Sequence, residues 1–170
     1  MRVLTPLLLG ALLSVATTPV HAQDPTGGAV RRTVISANPF GLLLDLFNAE
    51  LEIATTPSVT VGAGGSTFSR SDDRYVNADV FARYYPSGQA FDGWNLGVKL
   101  GVTSISPEDD AVKGGTHFGY GFDVNHTWMV GADDRLAISA GFGLKRIVGA
   151  PSDFAQYIPT VRVINVGWRF

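Results

Sequence analysis

Among the side chains of this 170-residue chain, His126 has the chemistry best matched to general-base work near neutral pH. It stands in Asn125-His126-Thr127-Trp128, where the residue two places on is a tryptophan rather than a hydroxyl. A base with no nucleophile to activate does no covalent catalysis, so no catalytic residue is expected. Asn125-His126-Thr127 matches a glycosylation acceptor pattern, but it falls within a strand-like segment and is read as accidental. Asp72-Asp73 and Glu108-Asp109-Asp110 offer oxygen ligands that hard cations prefer. They lack the spacing of an EF-hand loop and are read as solvated loop ends, so neither a metal nor a cofactor is expected. The absence of cysteine removes zinc-finger, disulfide-scaffold and thiol-nucleophile chemistry. What remains is a set of charges inside strand-like segments: Glu50, Glu52, Asp79, Arg83, Lys99, Asp123, Lys145 and Arg169, four acids and four bases.

The background to these charges is unusual. Charged residues make up 16% of the chain, against roughly 25% in an ordinary soluble domain. There are 20 glycines, and aromatic residues reach 11%. A net charge of −2 gives no footprint for nucleic acid. The chain begins with Met1-Arg2, an apolar run from Leu7 to Leu13, and Val20-His21-Ala22. A basic start, a short apolar core and a small-residue site make a secretory signal peptide over 1–22, which leaves 23–170 as one domain. The apolar core is too short for the roughly 20 residues of a spanning helix.

From about Ala49 onward the sequence alternates in steps of two. Leu96, Val98, Leu100 and Val102 alternate with Gly97, Lys99, Gly101 and Thr103, and Phe118, Tyr120, Phe122 and Val124 with Gly119, Gly121, Asp123 and Asn125. Successive side chains of a strand leave opposite faces of the sheet, so this period predicts strands. Turn residues divide them into eight, near 33–43, 47–55, 58–68, 75–86, 93–105, 115–130, 135–148 and 157–170. Asn38-Pro39 interrupts the first. Connections after the second, fourth and sixth are short, and those after the third, fifth and seventh are mostly longer and polar. An all-β, antiparallel, up-and-down barrel follows.

Alternation fits two opposite barrels, one with its apolar face inward and one with its apolar face on lipid. The glycines favour the second. Gly62, Gly64, Gly97, Gly101, Gly119, Gly121, Gly141, Gly143 and Gly167 share a face with the strand-borne charges. Glycine weakens a solvent-facing strand, whereas it suits a crowded lumen. Trp94, Trp128, Trp168, Tyr84 and Tyr85 sit beside the short-turn ends, as an aromatic girdle at a membrane interface would. Phe68, Tyr75, Phe118 and Tyr157 are expected to form the opposite girdle. Arg162 is expected on the lipid face, near the strand end where a charge costs little. An eight-stranded lumen is just wide enough for side chains to fill it, so a packed, nearly closed interior of mutually paired charges is expected.

The pattern resembles the small OmpA/OmpX-type outer-membrane barrels of Gram-negative bacteria, over the whole of 23–170. Its most specific element is the terminal stretch from Val161, with Ile164, Val166, Trp168 and Phe170 on the outward face. These residues look like the strand signal that such proteins present to the barrel assembly machinery. Ser36-Ala37-Asn38-Pro39-Phe40-Gly41-Leu42-Leu43 looks like the opening of some small barrels of unassigned function. Barrels that deacylate lipid A carry a lipid-facing histidine two positions before a serine, and Trp128 occupies that serine position here. The resemblance implies an outer-membrane location and contact with outer-membrane lipid and lipopolysaccharide. It implies a monomer with no nucleic-acid partner. The expected role is non-enzymatic, structural or adhesive; the alternatives are a small-solute pore and a lipid-A-modifying enzyme.

Overall fold

A computed structural model describes residues 31–41, 46–70, 73–107, 114–150 and 154–170. The segment expected to be a signal peptide lies outside the described residues, as do Asp72 and Glu108-Asp109-Asp110. Eight antiparallel strands follow in chain order: β1 (Thr33–Ala37), β2 (Leu46–Ala54), β3 (Val59–Arg70), β4 (Asp73–Tyr84), β5 (Gly93–Ser106), β6 (Gly115–Val130), β7 (Leu136–Ile147) and β8 (Tyr157–Arg169). Each pairs with its sequence neighbours, and β1 pairs with β8 to close the barrel. The all-β, up-and-down architecture read from the period-two pattern is the architecture of the protein.

Two ends can be distinguished. At the turn end lie the β2–β3, β4–β5 and β6–β7 connections, the middle one the longest of the three, and β1 begins where β8 finishes. Thr56 fastens the β2–β3 turn, its hydroxyl accepting from the backbone N–H of Ser58 and Val59. At the other, loop end, β3 and β4 stay paired up to Arg70 and Asp73, so most of the polar segment expected between them is strand.

Strand β1 is much shorter than the expected 33–43. Asn38 accounts for its end. Its side-chain oxygen accepts from the N–H groups of Phe40 and Gly41, bending the chain just ahead of Pro39. Asn38 still donates its own N–H to the Asn48 carbonyl, one step beyond the Ala37–Ala49 pair.

The apolar face points outward. Val98 is 63% exposed and Phe142 62%, and Val80, Leu96, Leu100, Phe122 and Val161 share that exterior. Two small apolar clusters plug the ends from inside. Val34, Phe91 and Ala137 pack at the turn end, and Tyr75, Ile105, Ile147, Phe154 and Ile158 at the loop end. Phe91 holds a left-handed backbone (φ 72°), unusual for a bulky residue, and its ring is buried beside Tyr85.

Candidate functional site

The middle of the lumen is charged. Strands β2, β4, β5, β6, β7 and β8 each turn alternate residues inward, and seven of the eight singled-out charges meet or approach there. Arg83, 2% exposed, is the hub. Its guanidinium reaches Glu52 at 2.6 Å, Glu50 at 2.8 Å and Asp123 at 3.4 Å, and stacks 3.9 Å above the Phe81 ring. Lys99 Nζ lies 3.0 Å from the second oxygen of Asp123 and donates to Thr160. Lys145, with no exposed surface, pairs separately with Asp79 at 2.5 Å and donates to Asn77 and the Val102 carbonyl.

Arg169, the eighth, is elsewhere. Its Nε donates to the Arg31 carbonyl at 3.1 Å and its guanidinium lies 5.6 Å from the Phe91 ring, at the turn end. The fourth lumen base is Arg162, which was expected on the lipid face. It is buried, pairs with Glu50 and donates to Ser139. The cause is a β-bulge. Between Ser139 and Gly141 the β7 strand advances two residues, while β8 advances three, from Asn165 to Arg162. The extra residue reverses the facing of β8. Below it Asn165 and Gly167 point inward, and above it Ile158 and Arg162 do. The lumen therefore holds Glu50, Glu52, Asp79 and Asp123 against Arg83, Lys99, Lys145 and Arg162.

Glycines sit directly across from these charges. Gly64 pairs with both Glu50 and Asp79, Gly97 with both Arg83 and Asp123, and Gly121 with both Lys99 and Lys145. A Cβ built on Gly97 would strike the Asp123 carboxylate and lie 3.1 Å from Arg83 Cγ, and one on Gly119 would lie 2.7 Å from Lys145 Cε. The missing side chains are the volume that the long charged ones occupy.

Below the charges a polar layer fills the turn half. Asn125 donates to Asn95 and Asp123, and Asn95 to Thr127. Asn165 is buried beside them with neither amide atom bonded among the described residues. Tyr85, expected in the girdle, belongs to this interior instead. It is 1% exposed and donates to Glu52 at 3.0 Å, joining Thr60 on the same carboxylate. The signal was present, because Tyr85 shares the parity of Arg83. Phe68 and Tyr75 likewise stack inside the lumen at 4.9 Å rather than on its rim, in parity with Ser66 and Asn77.

The remaining girdle residues are outside. Trp94, Trp128, Trp168 and Tyr84 are exposed near the turn end, and Phe118 and Tyr157 near the loop end. Ile164, Val166 and Phe170 share the exterior with Trp168. His126 faces outward between Trp94 (ring centroids 5.0 Å apart) and Trp128 (4.4 Å).

These charges are committed to one another. Each acid of the hub has a base within hydrogen-bond reach, so the arrangement fastens six strands across the lumen rather than presenting a free acid or base. The interior is not packed throughout. A cavity of about 440 Å³ lies in the loop half above the charges, floored by Glu50, Lys99 and Arg162.

No protein-family model matches the chain, and no curated protein matches it in sequence. Among solved structures, the backbone structure of the Yersinia pestis outer membrane protein Ail in a phospholipid bilayer nanodisc is similar, with a TM-score of 0.50 and 14% identity. The match covers 82% of this chain and 99% of that one. What the two share is the barrel. At this identity the likeness is one of fold, and it extends over the whole of the smaller protein.

Proposed function

We propose that the chain is an integral outer-membrane β-barrel protein of the small OmpA/OmpX type, with a non-enzymatic envelope role, structural or adhesive. The observation that carries this reading is the inversion of the barrel. Charged and hydrogen-bonding side chains face inward, while a continuous apolar exterior lies between aromatic residues at both ends. Water would penalise such an exterior, and lipid would not. Apart from β1, every strand reaches the roughly 9–11 residues a tilted spanning strand requires. The outward row Ile164, Val166, Trp168 and Phe170 supports a terminal strand read by the barrel assembly machinery. The filled turn half supports a barrel that does not conduct. Outer-membrane lipid and lipopolysaccharide are the partners such an exterior would take.

Fractionation combined with a gel of unboiled sample tests the reading. The protein should be recovered in the outer membrane and migrate differently before and after boiling. Recovery in the soluble periplasm with unchanged migration would overturn it.

A further inference from the structure

The connection between β4 and β5 reaches back into the turn-end mouth of the barrel. Its Phe91 ring packs with Val34 and Ala137, meets the Tyr85 ring edge-on and lies 5.6 Å from the Arg169 guanidinium. The backbone that carries the ring is poorly suited to phenylalanine. Asp92 donates its N–H to the Gln89 carbonyl at 3.2 Å, which makes Gln89 to Asp92 a β-turn with Phe91 third. At φ 72° that place is the third position of a type II turn, where glycine is the usual residue. A bulky side chain there is strained, so the backbone offsets part of what the buried ring gains. Gly88 (φ 74°) and Gly93 (φ 85°) bracket the turn. A Cβ built on Gly88 would meet nothing, so this glycine serves backbone freedom rather than space. Asp92 ties the connection to β6, its carboxylate accepting from the Met129 N–H at 3.4 Å.

Behind the ring lies the polar layer. Met129 packs against the Phe91 cluster, and Thr127 is the next inward residue of β6, followed by Asn125 with its bond to Asn95. Thr127, Ser139 and Asn165 stand in register on β6, β7 and β8. We propose that the β4–β5 connection is a hinged stopper: turning on Gly88 and Gly93, it withdraws Phe91 from the mouth and admits water and small uncharged solutes to this polar layer. The Asn165 amide, unbonded among the described residues, offers an entering solute both a donor and an acceptor. Asn95, Asn125, Thr127, Ser139 and Asn165 carry no charge, and a desolvated ion entering among them would go unpaired. On the far side the Arg83 hub closes the lumen, so what enters does not pass through. The inference stands apart from the membrane location proposed above, since it concerns the lumen alone.

The chain has no native cysteine, so single cysteines report access directly. Thr127→Cys lies behind the stopper, Ser87→Cys on the exposed connection, and Thr103→Cys is buried beside Asn77 in the loop half. Each folded variant is treated in detergent micelles with 2-hydroxyethyl methanethiosulfonate, a small, neutral, water-soluble thiol reagent. Thr127→Cys should react about a hundredfold slower than Ser87→Cys yet about tenfold faster than Thr103→Cys, because only the stopper need open. Adding Ala90→Pro, which presets the second position of the turn, should slow Thr127→Cys about threefold or more, and adding Phe91→Gly should speed it about tenfold. Thr103→Cys should respond to neither. A trimethylammonium analogue of the reagent should lag the neutral one about tenfold at Thr127→Cys, measured relative to Ser87→Cys. Thr127→Cys as inert as Thr103→Cys, or indifferent to Ala90→Pro, would overturn the hinged opening. Phe91→Gly speeding both buried thiols equally would overturn it as well, since the whole barrel would then have loosened. Equal rates for the two reagents would overturn the preference for uncharged solutes.

Discussion

The two halves of this barrel use the same strands and are filled differently. In the turn half all eight strands pair in a continuous ring, and the interior is filled by Tyr85, Phe91, Val34 and the Asn95–Asn125–Thr127 hydrogen bonds. In the loop half a cavity replaces the filling, and Arg162 of β8 reaches Glu50 of β2 beneath it. Between the halves lies the charged layer. Backbone hydrogen bonds close a barrel without help from side chains. In the loop half a buried ion pair adds a side-chain tie between β8 and β2, with space above it.

The comparison is broken most severely at the hub. Arg83→Met strands Glu50, Glu52 and Asp123 around a lost guanidinium, and removing one partner of a buried pair costs about 3–5 kcal/mol. Urea unfolding of the folded barrel in detergent micelles should show the loss, and a midpoint unchanged from the native protein would dismiss the hub. Arg162→Met should cost less, about 2–3 kcal/mol, because Arg83 still neutralises Glu50. Its effect should concentrate around the tie to Glu50, with faster amide exchange in the loop half of β8 than in its turn half. Uniform exchange along β8 would contradict a side-chain clasp there.

Glycine substitutions sharpen the contrast between inside and outside. Gly97→Ala forces a methyl against Asp123 and Arg83 and should cost about 1–3 kcal/mol. Gly65→Ala on the exterior meets only the Asn77 carbonyl at 3.4 Å and should change stability by less than about 0.5 kcal/mol. Equal effects in a thermal melt would remove the argument that glycine makes room for charge. The smallest effect belongs to Thr56→Ala in an exposed turn, at most about 1 kcal/mol, since it loses hydrogen bonds that water can replace. A loss as large as that of Arg83→Met would shift the source of stability from the lumen to the turns.

Much of this arrangement was legible in the residues. Parity along β2, β4, β5, β6 and β7 placed Glu50, Glu52, Asp79, Arg83, Lys99, Asp123 and Lys145 on the inner face. The same parity would have placed Tyr75 and Tyr85 inside, but their proximity to strand ends suggested a girdle. Arg162 and Arg169 were a different case. Apolar residues occupy both parities at Val161, Val163 and Ile164, so the bulge leaves no trace in the alternation. Only pairing with β7 reveals it.

The sequence by itself determined the strands, the barrel and a charged inner face lined with glycine, because side-chain facing is a local property of an extended chain. Which base completes the lumen, and whether the lumen is full, were decided by tertiary structure. Register and strand ends depend on neighbours. One extra residue on β8 turned Arg162 inward, where it meets Glu50 of β2.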